Sequence, residues 1–441
     1  MKRVAVIVLA VLFALSAPAA ATPGPQNAPE YWFDSWQLDS LWAGGARGQG
    51  VTIAEIDTGV NAKLPELRGR VLNGADLGRH GNGRIDRERD AFGHGTAMAS
   101  IMVARPGLLD ITGIAPGARI LPIAVPLNGT TDAGVPDKVP AAIRYAADHH
   151  AKIISMSLGG KRMPSQDSEP CKDSEQAAIY YALRKGALVI ASVGNNGPTK
   201  NTIEDPGVCL GVISVGAVDE TGAVAHFSSR EPYLTLVAPG VNVPSLSRVP
   251  GQAYSGDGTS QATAITSAVA ALVWSRYPQL TARDVAARIL ATLDGRRRTP
   301  SRAYGYGMLD AYQAVTADVP ATAPNPVFAA VAPFMSRVDA LNARPPPAPG
   351  AAAARGGPPS GRYRVGSVSR VTVQVQVGIA LSGFGLALVL VLAFAGAGRA
   401  RRRRHRANRP RPDPGPGRGP GPGPGPGLTQ SPVYGADDRP Q

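Results

Sequence analysis

Val51-Thr52-Ile53-Ala54-Glu55-Ile56-Asp57-Thr58-Gly59 is a mostly apolar run that stops at an aspartate and a glycine turn. Its β-branched residues, bounded by turn formers, predict a buried strand over 51–56. The pattern recurs along the chain. Arg119 to Val125, Lys152 to Leu158, Ala187 to Val193 and Val212 to Val218 read as strands, with helices at Thr96 to Ala104, Asp137 to His149 and Ser174 to Lys185 between them. Such alternation predicts an α/β fold, a mostly parallel central sheet with helices on both faces. Ser260 to Tyr277 and Thr281 to Leu293 continue the helices, the latter opening on a Thr-x-x-Asp cap and closing at Gly295.

Reacting groups in open parallel sheets sit at the carboxyl ends of the strands, and Asp57 stands at such an end. An Asp-Thr-Gly alone is more often a simple turn. His94 enters a helix within Phe92-Gly93-His94-Gly95-Thr96, where the glycines admit close approach to the imidazole. Gly256-Asp257-Gly258-Thr259-Ser260-Gln261 puts a serine at the start of a helix of small residues, where backbone N–H groups favour negative charge. Each signal is weak by itself, since a serine before a helix is usually only a cap. Together Asp57, His94 and Ser260 supply the carboxylate, base and nucleophile of acyl transfer, in the order Asp, His, Ser.

On these motifs the chain resembles the subtilase family of serine proteases from about Trp42 to Val315, which implies the subtilisin-like three-layer fold. The resemblance carries three further assignments. Asn195, in Val193-Gly194-Asn195-Asn196-Gly197, would supply the oxyanion-hole amide, and Ser157-Leu158-Gly159 would line the primary specificity pocket and pair with substrate backbone. Glu204 and Asp205 would lie at that pocket's floor and imply a preference for basic residues before the scissile bond. Tyr304 to Ala311 is similar to the close of the family's domain. Two departures stand out: Ala264 occupies a position where many members carry proline, and the roughly 30 residues between the signal peptide and Val51 are too few for the long inhibitory pro-domain of most secreted members. No cofactor is implied. Members often bind structural calcium in loops, yet Asp76 to Asp90 matches no ligand set and reads as a solvated loop.

The flanks carry the topology. Met1 to Ala21, with Lys2 and Arg3 before an apolar run and small residues after it, has the layout of a signal peptide. Residues 22–45 form a short leader holding Trp32, Trp36 and Trp42, aromatics expected to pack back onto a peptidase domain over 46–316. Residues 317–370 read as an Ala/Pro-rich stalk, 371–398 as a transmembrane helix, and 399–441 as a basic, Pro/Gly-rich disordered tail. Arginines directly after Gly398 orient that end to the cytoplasm, leaving the catalytic domain extracytoplasmic. Ten Arg and three Asp after Gly398 contribute seven of the net +14, and Lys2 and Arg3 two more, so the basic excess is topological and argues against nucleic-acid binding. Cys171 and Cys209 suit a disulfide in an exported chain, two buried thiols being the alternative. Signal peptide, leader, Cys pair around the Asn195 loop, stalk, membrane helix and basic tail together resemble mycosins, the membrane-anchored subtilases of type VII secretion. That layout implies a tethered serine endopeptidase acting on protein or peptide substrates, or a scaffold subunit of a secretion complex in which peptidase activity is dispensable.

Overall fold

The computed structural model describes residues 30–107, 109, 111–127, 137–161, 171–197 and 202–342. The readings of a signal peptide over 1–21, a membrane helix over 371–398 and a tail over 399–441 lie outside the described residues. Among the described residues no helix is long and apolar enough to cross a membrane.

The strands are β1 (Thr52–Asp57), β2 (Ala75–Asp76), β3 (Arg119–Ala124), β4 (Ile153–Met156), β5 (Gly160–Lys161), β6 (Leu188–Ser192), β7 (Glu204–Asp205), β8 (Val212–Val218), β9 (Leu236–Pro239), β10 (Val243–Leu246) and β11 (Ala253–Gly256). Seven form one sheet in the order β2-β3-β1-β4-β6-β8-β9, every neighbouring pair parallel. The helices are α1 (Trp32–Ser35), α2 (Leu38–Ala43), α3 (His94–Val103), α4 (Val139–Asp148), α5 (Asp173–Arg184), α6 (Thr259–Arg276), α7 (Ala282–Ala291), α8 (Ala311–Thr316) and α9 (Pro326–Asn342).

Apolar runs without alternation are what a sheet covered on both faces requires. Ile53, Ile120, Ile153 and Leu188 enter a core shared with α3, α6 and α7. Their neighbours Ala54, Leu121, Ile154 and Val189 enter a second core, shared with α4 and α5. Helix α6 is buried on nearly all sides, which explains its lack of a polar stripe. Its buried hydroxyls are satisfied locally: Thr263 and Thr266 donate to the carbonyls of Thr259 and Ala262 at 2.8 Å each, and Ser267 donates to Ser155 on β4 at 2.9 Å. That last bond sets the helix against the sheet.

Strands β2, β9 and the β10–β11 hairpin do not stand out in sequence, because each is four residues or fewer. The leader does pack back. Trp32, Trp36 and Trp42 are buried in the main core, and the Trp42 indole donates to the Ile114 carbonyl at 2.9 Å. The stalk reading is corrected at its start: packed chain continues past 317 into α9, where Val327 and Val331 are buried and Asn325 donates to the Arg283 carbonyl at 2.7 Å. Two valines one helical turn apart among alanines and prolines give too little periodicity to mark a docked helix.

Cys171 and Cys209 are joined in a disulfide across 38 residues. It ties the approach to α5 to the segment after β7 and encloses the 193–197 loop. Replacing both with alanine is expected to lower unfolding free energy by up to about 4 kcal/mol in the chain-entropy account, read from urea melts of the two proteins.

Candidate active site

Going along the chain, β1 is followed by β3 on one side of it and by β4 on the other. Such a reversal opens a crevice at the carboxyl ends of the strands. Asp57 ends β1 and is fully buried. Its Oδ1 accepts from the Thr58 N–H at 2.7 Å, and His94 Nδ1 lies 2.8 Å from Oδ1 and 3.0 Å from Oδ2. His94 is the first residue of α3, and the left-handed Gly93 before it (φ +70°) turns the chain into the helix. A side chain at Gly95 would strike the Gly59 carbonyl, its Cβ falling 2.3 Å from that oxygen. The two glycine-bracketed turns can therefore lie backbone to backbone.

What clamps the turns together is Asp86, which the sequence reading left in a solvated loop. The structure corrects that: Asp76, Asp86 and Glu88 are all buried. Asp86 Oδ1 accepts from Thr58 Oγ1 at 2.9 Å and the Glu88 N–H at 3.1 Å, and its Oδ2 accepts from the Thr96 N–H at 2.9 Å and Thr96 Oγ1 at 2.6 Å. Glu88 accepts the His94 N–H, and Asp76 is paired with Arg87 at 2.7 Å. These carboxylates each accept from protein donors. No periodic signal marks the loop, which is why its role escapes a reading by pattern. A further cluster, Cys171, Glu175, Asp205 and Cys209, has its sulfurs joined to each other.

Ser260 is the second residue of α6. Its Oγ donates to the Ser157 carbonyl at 2.8 Å, while Ser157 Oγ donates to the Ser260 carbonyl at 2.9 Å. Ser157 follows β4, the strand beside β1. From beyond the end of β6, Asn195 Oδ1 accepts from Thr259 N–H at 2.9 Å and Thr259 Oγ1 at 2.8 Å. Two donors on Oδ1 assign the amide and turn Nδ2 outward as a donor. Leu158 is held by Ser192 Oγ on its carbonyl at 2.9 Å, and Gly159 faces the Glu204 carboxylate. Asp57 thus ends β1, Ser157 to Gly159 follow β4, Asn195 follows β6, and Ser260 is bonded to Ser157.

Burial pulls the His94 pKa down, but Asp57, with Glu88 and Asp86 behind it, pushes it up to about 9. Glu55, buried two residues before Asp57, has no hydrogen-bond partner for either carboxyl oxygen. Burial first, then Asp57 and Asp86, hold its pKa well above the usual carboxylate range. A carboxyl group that folds protonated costs stability as pH rises from its unfolded pKa toward its folded one. Glu55→Gln is therefore expected to stabilise the protein at neutral and alkaline pH and to gain nothing below about pH 4. Thermal melts from pH 3.5 to 9 check this, and a gain that is largest at the acidic end would contradict it.

The subtilase family model matches residues 48–307. Mycosin-3 of Mycobacterium tuberculosis is 31% identical over 331 residues, 63% of this chain and 69% of its own length. Among solved structures, the MycP3 protease from the type VII (ESX-3) secretion system aligns with a TM-score of 0.58 and 31% identity, over 67% of this chain and 90% of that one. A chain of the intact ESX-5 inner membrane complex aligns with a TM-score of 0.58 and 26% identity over 85% of this chain and 92% of its own. A match across more than half the sequence, on a parallel sheet whose strand ends gather the motif residues, means that this chain belongs to the subtilase family of serine proteases.

Proposed function

We propose that the protein is a membrane-tethered extracytoplasmic endopeptidase that hydrolyses peptide bonds through an acyl-enzyme on Ser260. The observation that carries the reading is the Asp57 carboxylate on His94 Nδ1, beside the strand whose Ser157 carbonyl holds the Ser260 hydroxyl. In this reading Ser260 turns from Ser157 to pass its proton to neutral His94 as Oγ attacks the carbonyl. Asp57 keeps Nδ1 protonated and steadies the imidazolium. Asn195 Nδ2 donates to the oxygen that becomes negative, and His94 then protonates the leaving amine. The hydrophobic 371–398 segment supports the tether, as does the 85% of the chain spanned by the alignment to the ESX-5 membrane complex.

That same likeness favours a second reading, in which the fold serves mainly as a subunit of a membrane secretion complex. Complementing a deletion strain with Ser260→Ala separates the two: lost secretion supports the peptidase, full rescue the scaffold.

Three outcomes test the chemistry. A fluorophosphonate should label the full-length protein and leave Ser260→Ala unlabelled, while Asn195→Ala should lose about 10²–10³-fold in kcat, the loss known for the matching donor of a subtilisin. Because His94 must be neutral to accept a proton and its pKa is pushed up to about 9, kcat/KM should climb through neutral pH and level off only above about pH 9. A rate already flat at pH 7 would contradict the assigned base.

A further inference from the structure

The crevice lies at the carboxyl ends of the strands, and at their amino ends cations gather from four segments. Arg119 opens β3 and stands in register with Thr52, which opens β1. Lys152, just before β4, donates its N–H to the Thr52 carbonyl at 3.0 Å. On the side of β3 away from β1, the Arg70 carbonyl accepts from the Ile120 N–H at 2.9 Å. Arg47 precedes β1, and its carbonyl accepts from the Gly117 N–H at 2.6 Å. Arg105 follows α3, and its guanidinium donates to the Arg68 carbonyl at 2.7 Å.

These charges are crowded and face outward. Arg47, Arg68, Arg105 and Arg119 are exposed, and the half-buried Arg70 donates to the Gly117 carbonyl at 3.4 Å. Burial, then the charges of Arg105, Arg119 and Arg47, lower the Arg70 pKa. Residues 44–52, 66–73, 103–121 and 150–153 hold six Lys and Arg against two acids, Glu66 and Asp110, so a positive excess of four remains even with both acids paired. Of the six, only Arg105 sits where a helix C-terminus favours a cation. Like charges brought together from four segments repel, and an anionic surface relieves that cost.

Helix α9 is seated at the same end. Gly48, beside Arg47, donates its N–H at 2.8 Å to Ser275 Oγ near the close of α6, and α7 begins shortly after. Asn325, at the entry to α9, is bonded to the Arg283 carbonyl of α7, and a Cβ on Gly211, which leads into β8, would lie 3.6 Å from the Val331 Cβ. From α9 the sequence continues through 343–370 to the hydrophobic 371–398. Even fully extended, 343–370 cannot reach beyond about 100 Å. A bilayer holding 371–398 is therefore always within range, and weak contacts with it act as intramolecular ones.

We infer that this basic end of the sheet docks on anionic phospholipid headgroups of the membrane that anchors the chain, which turns the crevice away from the bilayer. The inference rests on the tether in the proposed function and not on the peptidase chemistry. A fluid layer of phosphates needs charge and no matched shape, which suits arginines spread over several loops whose side-chain bonds go to backbone carbonyls. Each arginine near such a surface strengthens attachment about fivefold.

The test places full-length protein in lipid discs of phosphatidylcholine alone or mixed with phosphatidylglycerol. The headgroups carry an acceptor dye, and the donor dye sits on Gln49→Cys beside Arg47 or on Arg89→Cys at the crevice end. Cys171 and Cys209 are bonded to each other, so only the introduced thiol takes the dye. Phosphatidylglycerol should raise energy transfer from position 49 and lower it from position 89, and salt should reverse both without any change to the arginines. Arg68→Gln with Arg119→Gln should weaken docking about 25-fold and return transfer to the phosphatidylcholine level, whereas Arg68→Lys with Arg119→Lys should keep it. Circular dichroism melts check that the variants fold. Transfer that ignores lipid charge, or that survives the Gln pair, overturns the inference; so does its loss in the Lys pair, the sign of a site shaped for a protein partner. A chain that does not enter phosphatidylcholine discs sinks the tether reading, and flotation with phosphatidylglycerol vesicles then decides the patch: flotation that needs the arginines keeps it, and none ends it.

Discussion

The contact on which the site depends is the Asp57 carboxylate against His94 Nδ1. A carboxylate with no exposure at the end of a strand persists only if its oxygens are taken by donors. Here the donors are the Thr58 N–H and the imidazole. The imidazole must arrive from another part of the chain, so the first turn of α3 has to lie on the β1 turn. Gly95 permits that approach, and Asp86 enforces it by binding Thr58 from one turn and Thr96 from the other. The pair is thus positioned by a third carboxylate that binds the threonines flanking it.

Carboxyl groups crowd this crevice, and the fold handles them in three ways. Asp57 and Asp86 are surrounded by N–H and O–H donors. Glu55 has no side-chain donor on either oxygen, and burial, with its acidic neighbours, raises its pKa well above the usual carboxylate range. Glu204 is intermediate, with one amide donor on one oxygen and a raised pKa. The distinction is physical, since the cost of burying a carboxyl falls either through hydrogen bonds to its charged form or through loss of the charge.

Much of this was legible in the sequence. The strands of the sheet centre were, because a strand buried on both faces must be apolar at every position, and the Asp57, His94 and Ser260 motifs were, because their glycines mark backbone approach. Asp86 was not. Its role comes from which donors converge on it, a property of three loops meeting in space and not of spacing along the chain. The docking of α9 was equally hidden, since among the described residues its buried apolar side chains are Val327 and Val331, in a segment whose Ala/Pro composition otherwise describes a linker. Glu204 and Asp205 read as one acidic pair, and only the pleat of β7 separates them into a residue against Gly159 and Gly194 and a neighbour of the disulfide.

That separation bears on how the site tolerates its own charge. A carboxyl between two backbone segments could be stabilised by a resident Arg or Lys, and then it would simply join two loops. Among the described residues, the donors near Glu204 are the Asn196 amide and, beyond Glu231, an arginine at the 3.9 Å limit of an ion pair. The disulfide encloses this stretch from α5 through β7, so the strand carrying Glu204 is tied covalently and need not depend on pairing its charge to stay in place.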